Sequence, residues 1–326
     1  MIAPGQPGLK TDMVRFARTH PTHSPARPTA PARPVPLADV RVPTHWASSL
    51  YHRLIGDQNR LFQRPAYGAL APSQLSRTPF GVRSYVSAGV GTSTVVFESG
   101  LGDGKEAWAS VFKAVSSETR AIAYDRAGYG QSEGSDVARD GLQIVRELRA
   151  LLQTENIPPP YVLVGHSLGG TIVKLFARIY PDEVAGVVLV DARHSDFVRR
   201  CRRMGVFRLL YEPPLALFML ARSAIRGELI ASAQTMKQAR RAGPFPAVPL
   251  IVMTRRQTAS HWPGGVARAW ARSQLSMAKL SALGRIKVCD DSGHHVHKDR
   301  PDLVVQAVLS VVAAARHLQE NNDHPE

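Results

Sequence analysis

From residue 81 onward, the alternation of short strand-like runs with amphipathic stretches limits the folds open to this chain more than any other feature. Seven runs predict strands, at 82–87, 93–97, 121–124, 161–164, 184–190, 249–253 and 285–289. Helical periodicity lies between or after them, at 105–117, 140–153, 168–180, 265–281 and 302–318. Continuous apolar strands separated by helices are typical of a parallel sheet covered on both faces. The sequence therefore predicts an α/β fold with a mostly parallel central sheet.

Residues 192–248 break this alternation between two predicted strands. The segment is far longer than an ordinary βα loop, and we interpret it as a helical insertion. Parallel sheets bind their ligands outside the carboxyl ends of their strands, where this insertion begins. We therefore expect a helical cap over the ligand site, carried by a core that comprises 80–191 and 249–326.

The N-terminal segment has a different composition from the core. Nine of the 24 prolines fall within residues 1–45, and such a density disfavours both helix and sheet. We predict a disordered Pro/Arg-rich tail at 1–45, followed by an N-terminal extension at 46–79. An organelle-targeting role for the tail is the alternative to a cytoplasmic location, which the composition favours.

Two cysteines exclude a disulfide framework or a Cys-rich zinc site, and no cofactor or metal is predicted. No stretch approaches the roughly 20 apolar residues of a membrane-spanning helix. The net charge of +15 raises nucleic acid as a partner, yet no nucleic-acid motif accompanies it, so we expect none.

Most of the excess charge belongs to the tail and the insertion. Residues 1–45 hold six basic and two acidic residues, whereas 193–248 hold eleven basic and three acidic, a net +8. Apolar residues are interleaved with the basic ones at 207–220. A basic and apolar cap suits a small acyl substrate with an anionic head, or peripheral contact with an anionic membrane. The alternative is a cap whose arginines simply remain in water.

The motif that carries the chemistry is Gly-His-Ser-Leu-Gly at 165–169, between a predicted strand and a predicted helix. A serine on such a turn projects its hydroxyl above the sheet, and Gly165 and Gly169 leave room for the close backbone approach. Ser167 is the candidate nucleophile. Its base should be a histidine. His294 follows the last predicted strand and Gly293, with His295 as the alternative.

Together these motifs resemble the α/β-hydrolase superfamily over about residues 80–318. The resemblance rests on the 165–169 turn, the Ser-Gly-His loop at 292–294 with Pro301 downstream, and Asp-Arg-Ala-Gly-Tyr-Gly-Gln-Ser at 125–132. It implies an α/β-hydrolase fold in which the cap follows the sixth strand. It also implies that Asp125 belongs to a structural turn. Ser99-Gly100 replaces the usual His-Gly pair, and by family position the backbone N–H groups of Leu101 and Leu168 form the oxyanion hole.

The triad acid departs from the commonest family pattern. In most family members the acid follows the strand that corresponds to 249–253. Here no Asp or Glu occurs between residues 254 and 289. Some family members, notably haloalkane dehalogenases, carry their acid after the preceding strand. That position holds Asp191 here, with Asp196 as the alternative. Dehalogenases and epoxide hydrolases use an aspartate nucleophile, so Ser167 excludes their chemistry.

The resemblance implies a serine hydrolase that cleaves a carboxylic ester through a Ser-His-Asp triad and an acyl-enzyme. An acyltransferase, an amidase or aminopeptidase, and a cofactor-free haloperoxidase would use the same triad. A hydrolase fold that serves as a non-catalytic ligand-binding protein is the alternative from a different class.

Overall fold

A computed structural model describes residues 70–205, 223–256 and 264–323 of the chain. The predicted tail at 1–45 and most of the extension at 46–79 lie outside these ranges. The basic and apolar run at 207–220 also lies outside them.

Eight strands of the described residues form one sheet in the order β1-β2-β4-β3-β5-β6-β7-β8. The first two pairings, β1 with β2 and β2 with β4, are antiparallel, and the remaining pairings are parallel. The strands are β1 (Gln74–Thr78), β2 (Gly81–Ala88), β3 (Thr94–Glu98), β4 (Arg120–Tyr124), β5 (Tyr161–His166), β6 (Val184–Val190), β7 (Leu250–Arg255) and β8 (Gly284–Cys289). The predicted mostly parallel α/β sheet is confirmed.

The edge strand β1 corrects the predicted start of the core at residue 80. Its sequence, Gln-Leu-Ser-Arg-Thr, places Leu75 in solvent, 60% exposed, and buries Ser76. This pattern is the reverse of an ordinary half-buried strand, so periodicity could not reveal it. The strand exists because its backbone pairs with β2 across a tight turn at Gly81, whose φ is +95°.

Helices cover both faces of the sheet. The described helices are α1 (Ala109–Ser116), α2 (Gly141–Thr154), α3 (Leu168–Ile179), α4 (Ser195–Arg203), α5 (Ser223–Arg241), α6 (Gly264–Ala278), α7 (Val296–Asp299) and α8 (Pro301–Asp323). Successive strand residues point to opposite faces. Leu163 accordingly packs in one apolar cluster with residues of α2 and α3, whereas Val162 and Val164 pack in another with residues of α1 and α8.

The last helix, α8, is long enough to amend the expectation that no stretch could cross a membrane. By length and composition alone, its Pro301–Asn321 segment qualifies, with a mean hydropathy of 1.2. Val304, Val308 and Val311 on this helix are buried in the cluster that covers one face of the sheet. The apolar side of the helix is therefore part of the core.

Two described helices, α4 and α5, lie within the predicted insertion. Phe197 and Cys201 of α4 cluster with Val266 and Trp270 of α6. Helix α5 packs against both α2 and α3, and its Gln238 side chain accepts a hydrogen bond from the Leu142 amide at 3.1 Å. These contacts attach the insertion to the helices that follow β4, β5 and β7.

Candidate active site

Ser167 lies on a strained turn between β5 and α3. Its backbone has φ 52° and ψ −111°, a conformation that costs a non-glycine residue about 1–3 kcal/mol. A Cβ on Gly165 would lie 2.7 Å from the backbone of Gly169, and one on Gly169 would lie 2.3 Å from the carbonyl oxygen of Glu98. The two glycines are therefore required by backbone contact, and the strain presents the serine side chain at the carboxyl edge of the sheet.

The structure places His294 against this serine. His294 Nε2 lies 3.0 Å from Ser167 Oγ, which is hydrogen-bond distance. The alternative base, His295, has its Nε2 3.9 Å from Asp103 Oδ2. The loop after β8 thus brings the first of the two predicted histidines to the nucleophile candidate.

Asp191 completes a hydrogen-bonded chain. Its Oδ2 lies 2.7 Å from His294 Nδ1, and the side chain is fully buried at the end of β6. Asp196 instead lies on α4 and accepts a hydrogen bond from Arg199 at 2.6 Å. Of the two predicted carboxylates, only Asp191 is at the histidine.

Two further groups that contact the Asp191 carboxylate were not predicted from the sequence. Thr254 Oγ1 and the Arg255 amide donate to Asp191 Oδ1 at 3.2 and 3.3 Å. Trp270 Nε1 donates to Thr254 Oγ1 at 3.0 Å and holds that hydroxyl in place. Thr254 and Arg255 end β7, where the family usually has its acid. The absence of an Asp or Glu after β7 was the signal that could have directed attention to Thr254 and Arg255.

Burial and nearby charges set the protonation of this pair. Burial raises the pKa of Asp191 to about 6, while the Arg255 guanidinium, with Nε 3.4 Å from Oδ2, opposes the rise. Burial, followed by the positive charge of Arg255, lowers the pKa of His294 well below its usual value. At neutral pH the histidine is therefore neutral and can accept a proton.

The predicted oxyanion donors lie at the ends of neighbouring strands. Leu101 follows β3, Leu168 follows β5, and these two strands pair directly. Leu168 is the first residue of α3, where an α-helix leaves its N–H groups without an intrahelical acceptor. The two residues thus follow adjacent parallel strands at the same edge of the sheet.

Asp125 organises the turn that follows β4. Its carboxylate accepts from the Lys105 amide at 2.9 Å and from Lys105 Nζ at 2.6 Å. Ser132 Oγ donates to its carbonyl at 2.7 Å, and a Cβ on Gly130 would lie 2.1 Å from its carboxylate. These contacts are the ones expected of a structural turn.

Asp103, His166 and His297 could supply metal ligands, because their ligand atoms lie within 4.8 Å of one another. Lys298 Nζ lies 3.2 Å from Asp103 Oδ1, and its positive charge opposes a divalent cation there. His166 Nε2 donates to the carbonyl of His294 at 3.0 Å. In the structure, His166 thus anchors the loop that carries the candidate base, His294.

A basic cavity of about 170 Å³ lies between α3, α4 and α5, and neither Ser167 nor His294 is among the residues that line it. Lys174 of α3 reaches its wall, and burial, together with the charge of Arg178, lowers the lysine pKa to about 7. The Arg193 amide, beside the same cavity, donates to the carbonyl of Ser167 at 3.1 Å. The wall includes one carboxylate, Asp196, and the basic residues Lys174, Arg178, Arg193, Arg199 and Arg240.

A serine on a strained strand-to-helix turn, a histidine after the last strand and a buried aspartate define the architecture of an α/β-fold hydrolase. Comparison with known sequences agrees, since the alpha/beta hydrolase family matches residues 95–307. The chain belongs to this family. The predicted α/β-hydrolase fold is confirmed.

Individual proteins are similar to this chain in sequence or in structure. The chain is 29% identical over 223 residues to the uncharacterized protein YqjL of Bacillus subtilis, covering 68% of this chain and 84% of that protein. It is 35% identical over 99 residues to a putative carbamate hydrolase, RutD, of Pantoea ananatis, covering 30% and 36% of the two chains. A thermophilic esterase from Thermogutta terrifontis has a similar structure, with TM-score 0.55, 20% identity, and coverage of 75% of this chain and 99% of that one. At that identity the structural likeness shows the fold alone. Family membership supports hydrolase activity in general.

Proposed function

We propose that this protein is a serine hydrolase that cleaves a carboxylic ester through an acyl-enzyme on Ser167. The observation that carries the proposal is the continuous hydrogen-bonded chain from Ser167 through His294 to Asp191, with links of 3.0 and 2.7 Å. A serine hydroxyl is a weak nucleophile until a neutral base accepts its proton, and the lowered pKa of His294 provides that base.

The reaction divides into two acyl transfers. Ser167 Oγ attacks the ester carbonyl carbon while its proton passes to His294 Nε2, and a tetrahedral oxyanion forms. His294 then gives the proton to the leaving alkoxide oxygen as the carbon–oxygen bond breaks. Water, deprotonated by the same histidine, attacks the acyl-enzyme. The histidine returns that proton to Ser167 Oγ as the bond between Oγ and the acyl carbon breaks and the acid leaves. Asp191 accepts a hydrogen bond from Nδ1 and stabilises the transient imidazolium.

The amides of Leu101 and Leu168 would stabilise the oxyanion. Each donor of this kind is worth about 3–4 kcal/mol to the transition state in comparable enzymes. Both are backbone groups, so the Ser99-Gly100 sequence in place of His-Gly leaves them intact. Acyl transfer to an alcohol, or amide cleavage, would use the same groups and differ in the acceptor or the leaving group.

Hydrolysis should decline as the pH falls through about 6. Asp191 binds a proton near its pKa of about 6, and a neutral carboxyl no longer stabilises the imidazolium. Above that pH the carboxylate is ionised and activity should reach a plateau. The measurement is kcat/KM for a neutral ester between about pH 4.5 and 8.5, a range that spans the titration.

The variant Arg255→Met tests the cause of the predicted decline in kcat/KM at low pH, the acid limb of the pH profile. The Arg255 guanidinium lowers the pKa of both Asp191 and His294, so its removal raises both values and should move the limb to higher pH. His295, which also lowers the pKa of Asp191, and Thr254 remain in place. Arg256→Met is the matched control, since Arg256 is exposed and pairs with Asp290. A limb that stays fixed or moves downward in Arg255→Met would contradict this assignment.

The basic cavity favours an acyl substrate that carries an anionic group. Its wall includes four arginines and Lys174 against one carboxylate, Asp196. Burial is the main cause of the lowered Lys174 pKa, and the charge of Arg178 adds to it, so an anionic group beside this lysine would favour its protonated form. A carboxylate or phosphate on the substrate would supply such a group. Arg193 links this wall to the candidate nucleophile, because it lines the cavity and its amide donates to the Ser167 carbonyl.

A panel of p-nitrophenyl esters tests both the reaction and this preference. Neutral acyl chains of increasing length should be hydrolysed, and a chain ending in a carboxylate should show a lower KM. Arg240→Ala should raise KM for the anionic ester about tenfold, the effect of losing one charge-assisted contact of roughly 1.4 kcal/mol. KM for neutral esters should not change. Arg241→Ala, the neighbouring arginine outside the cavity wall, is the control. Equal KM shifts in the two variants would exclude the cavity as the anion site.

A further inference from the structure

Arg126, in the turn after β4, has every donor of its side chain engaged although it is only 2% exposed. Its Nε and Nη2 donate to the two carboxylate oxygens of Glu228 at 2.7 and 2.9 Å. Its Nη1 donates to Glu98 at 2.6 Å and to the Ser99 carbonyl at 2.7 Å. The last contact is from Nη2 to the Gly100 carbonyl at 2.8 Å. A guanidinium has five N–H bonds, and all five are used.

The bond to Gly100 bears directly on Leu101. The carbonyl of Gly100 and the N–H of Leu101 belong to one planar, trans peptide unit, so they point in opposite directions. Holding the carbonyl oxygen therefore fixes the direction of the Leu101 N–H. The next amide, that of Gly102, donates to the Tyr129 hydroxyl at 3.2 Å. The peptide units on both sides of Leu101 are thus anchored to the turn after β4.

Glu228 brings the insertion into this arrangement. It lies on α5, is 1% exposed, and also accepts from the Tyr129 hydroxyl at 2.9 Å. The same helix contacts the turn closely, because a Cβ on Gly128 would lie 2.6 Å from Ala224 Cβ. One carboxylate from the insertion therefore holds both side chains that anchor the Leu101 peptide units.

We propose that Arg126 is a positioning residue that directs the Leu101 N–H toward the oxyanion, and that Glu228 makes this orientation depend on the docked insertion. The proposal rests on the proposed function, in which the Leu101 amide is an oxyanion donor. An oxyanion donor contributes only when it points at the developing charge, so a small rotation of this peptide unit reduces catalysis. The consequence is that α5 supports the catalytic apparatus without contacting the substrate.

If Arg126 and Glu228 only stabilised the fold, a different result would be expected. Removing one partner of a buried ion pair leaves an uncompensated charge and destabilises the fold wherever the pair lies. Arg83 provides the comparison. It is fully buried, donates to the carbonyls of Val82 and Phe80 at 2.9 and 2.7 Å, and lies 3.3 Å from Glu147. It matches Arg126 in burial and in pairing with a buried glutamate, but its bonds go to a different part of the chain from the Leu101 loop.

The test compares Arg126→Lys and Glu228→Gln with Arg83→Lys, using the full chain and a p-nitrophenyl ester. The first two variants should lower kcat about 10- to 100-fold with KM changed less than about twofold, because a misdirected donor weakens the transition state more than the ground state. Affinity for a trifluoromethyl ketone, which forms a tetrahedral adduct, should fall in parallel with kcat. Arg83→Lys should lower the melting temperature without lowering kcat. Normal kcat in the first two variants, or an equal fall in all three, would overturn the proposal.

A second readout does not need catalysis. Amide hydrogen exchange in the segment 99–104 should accelerate about tenfold in Arg126→Lys and Glu228→Gln, because local opening costs less, and stay unchanged in Arg83→Lys. If the first two variants do not fold, Tyr129→Phe removes only the hydroxyl between Gly102 and Glu228 and should show the same changes at smaller amplitude. Unchanged exchange in this segment overturns the positioning role. If the wild-type protein hydrolyses no ester, while exchange in this segment does accelerate in the two variants, the proposed function is refuted and the positioning of the Leu101 loop is not.

Discussion

Ser167→Ala should lower kcat for ester hydrolysis by about 10⁴- to 10⁶-fold, the loss seen when the nucleophile of a comparable triad is removed. The hydroxyl is the only group in hydrogen-bond contact with His294 Nε2 among the described residues, so no second nucleophile is in place there. The variant should keep its fold, because alanine at this position removes a single oxygen. Initial rates with a p-nitrophenyl ester and a melting curve measure the two quantities.

Ser281→Ala is the matched control for that loss. Ser281 is 6% exposed, close to the 8% of Ser167, and its hydroxyl donates to the Val248 carbonyl at 2.6 Å away from the triad. Its removal should change kcat less than about twofold, since it touches no reacting group. Residual hydrolysis near the wild-type rate in Ser167→Ala would assign the nucleophile to another residue.

Asp191→Asn should lower kcat by about 10⁴-fold, as the corresponding change does in other triads. The neutral amide cannot stabilise the imidazolium, and its NH₂ group favours the wrong tautomer of His294. Thr254 and Arg255 would continue to hold the side chain at its oxygen, so the geometry should be kept. Ser167 should remain present but poorly reactive, and a large fall in kcat with unchanged melting temperature is the expected signature.

Asp196→Asn tests the alternative acid under the same conditions. This carboxylate is 29% exposed and pairs with Arg199 on the same helix, an interaction worth about 0–1 kcal/mol at the surface. Its replacement should leave kcat within about twofold of wild type. A collapse of activity in Asp196→Asn, with near-normal activity in Asp191→Asn, would move the acid to α4.

The parallel sheet and the serine turn could be predicted because their signals are local. Apolar runs such as 184–190 are buried on both faces, so a continuous apolar stretch identifies them. Gly165, Ser167 and Gly169 belong to one short motif, and the backbone contacts that require the glycines arise within the same turn and its neighbouring strand. His294 and Asp191 could be placed because each follows a strand that ends at the same edge of the sheet.

The parts that sequence could not supply depend on contacts between distant segments. Strand β1 has an exposed leucine and a buried serine, and only its pairing with β2 reveals it. Arg126 and Glu228 are 102 residues apart, and neither has a pattern that predicts burial. A buried ion pair resembles two surface charges in a sequence until the fold brings its members together.

The measurement that tests the Ser167 nucleophile most directly is covalent labelling with a fluorophosphonate, followed by peptide mapping in a mass spectrometer. We expect a single adduct per chain on Ser167, absent in Ser167→Ala and formed much more slowly in Asp191→Asn. Wild-type protein that forms no adduct, or an adduct that persists at another residue in Ser167→Ala, would contradict the proposed mechanism.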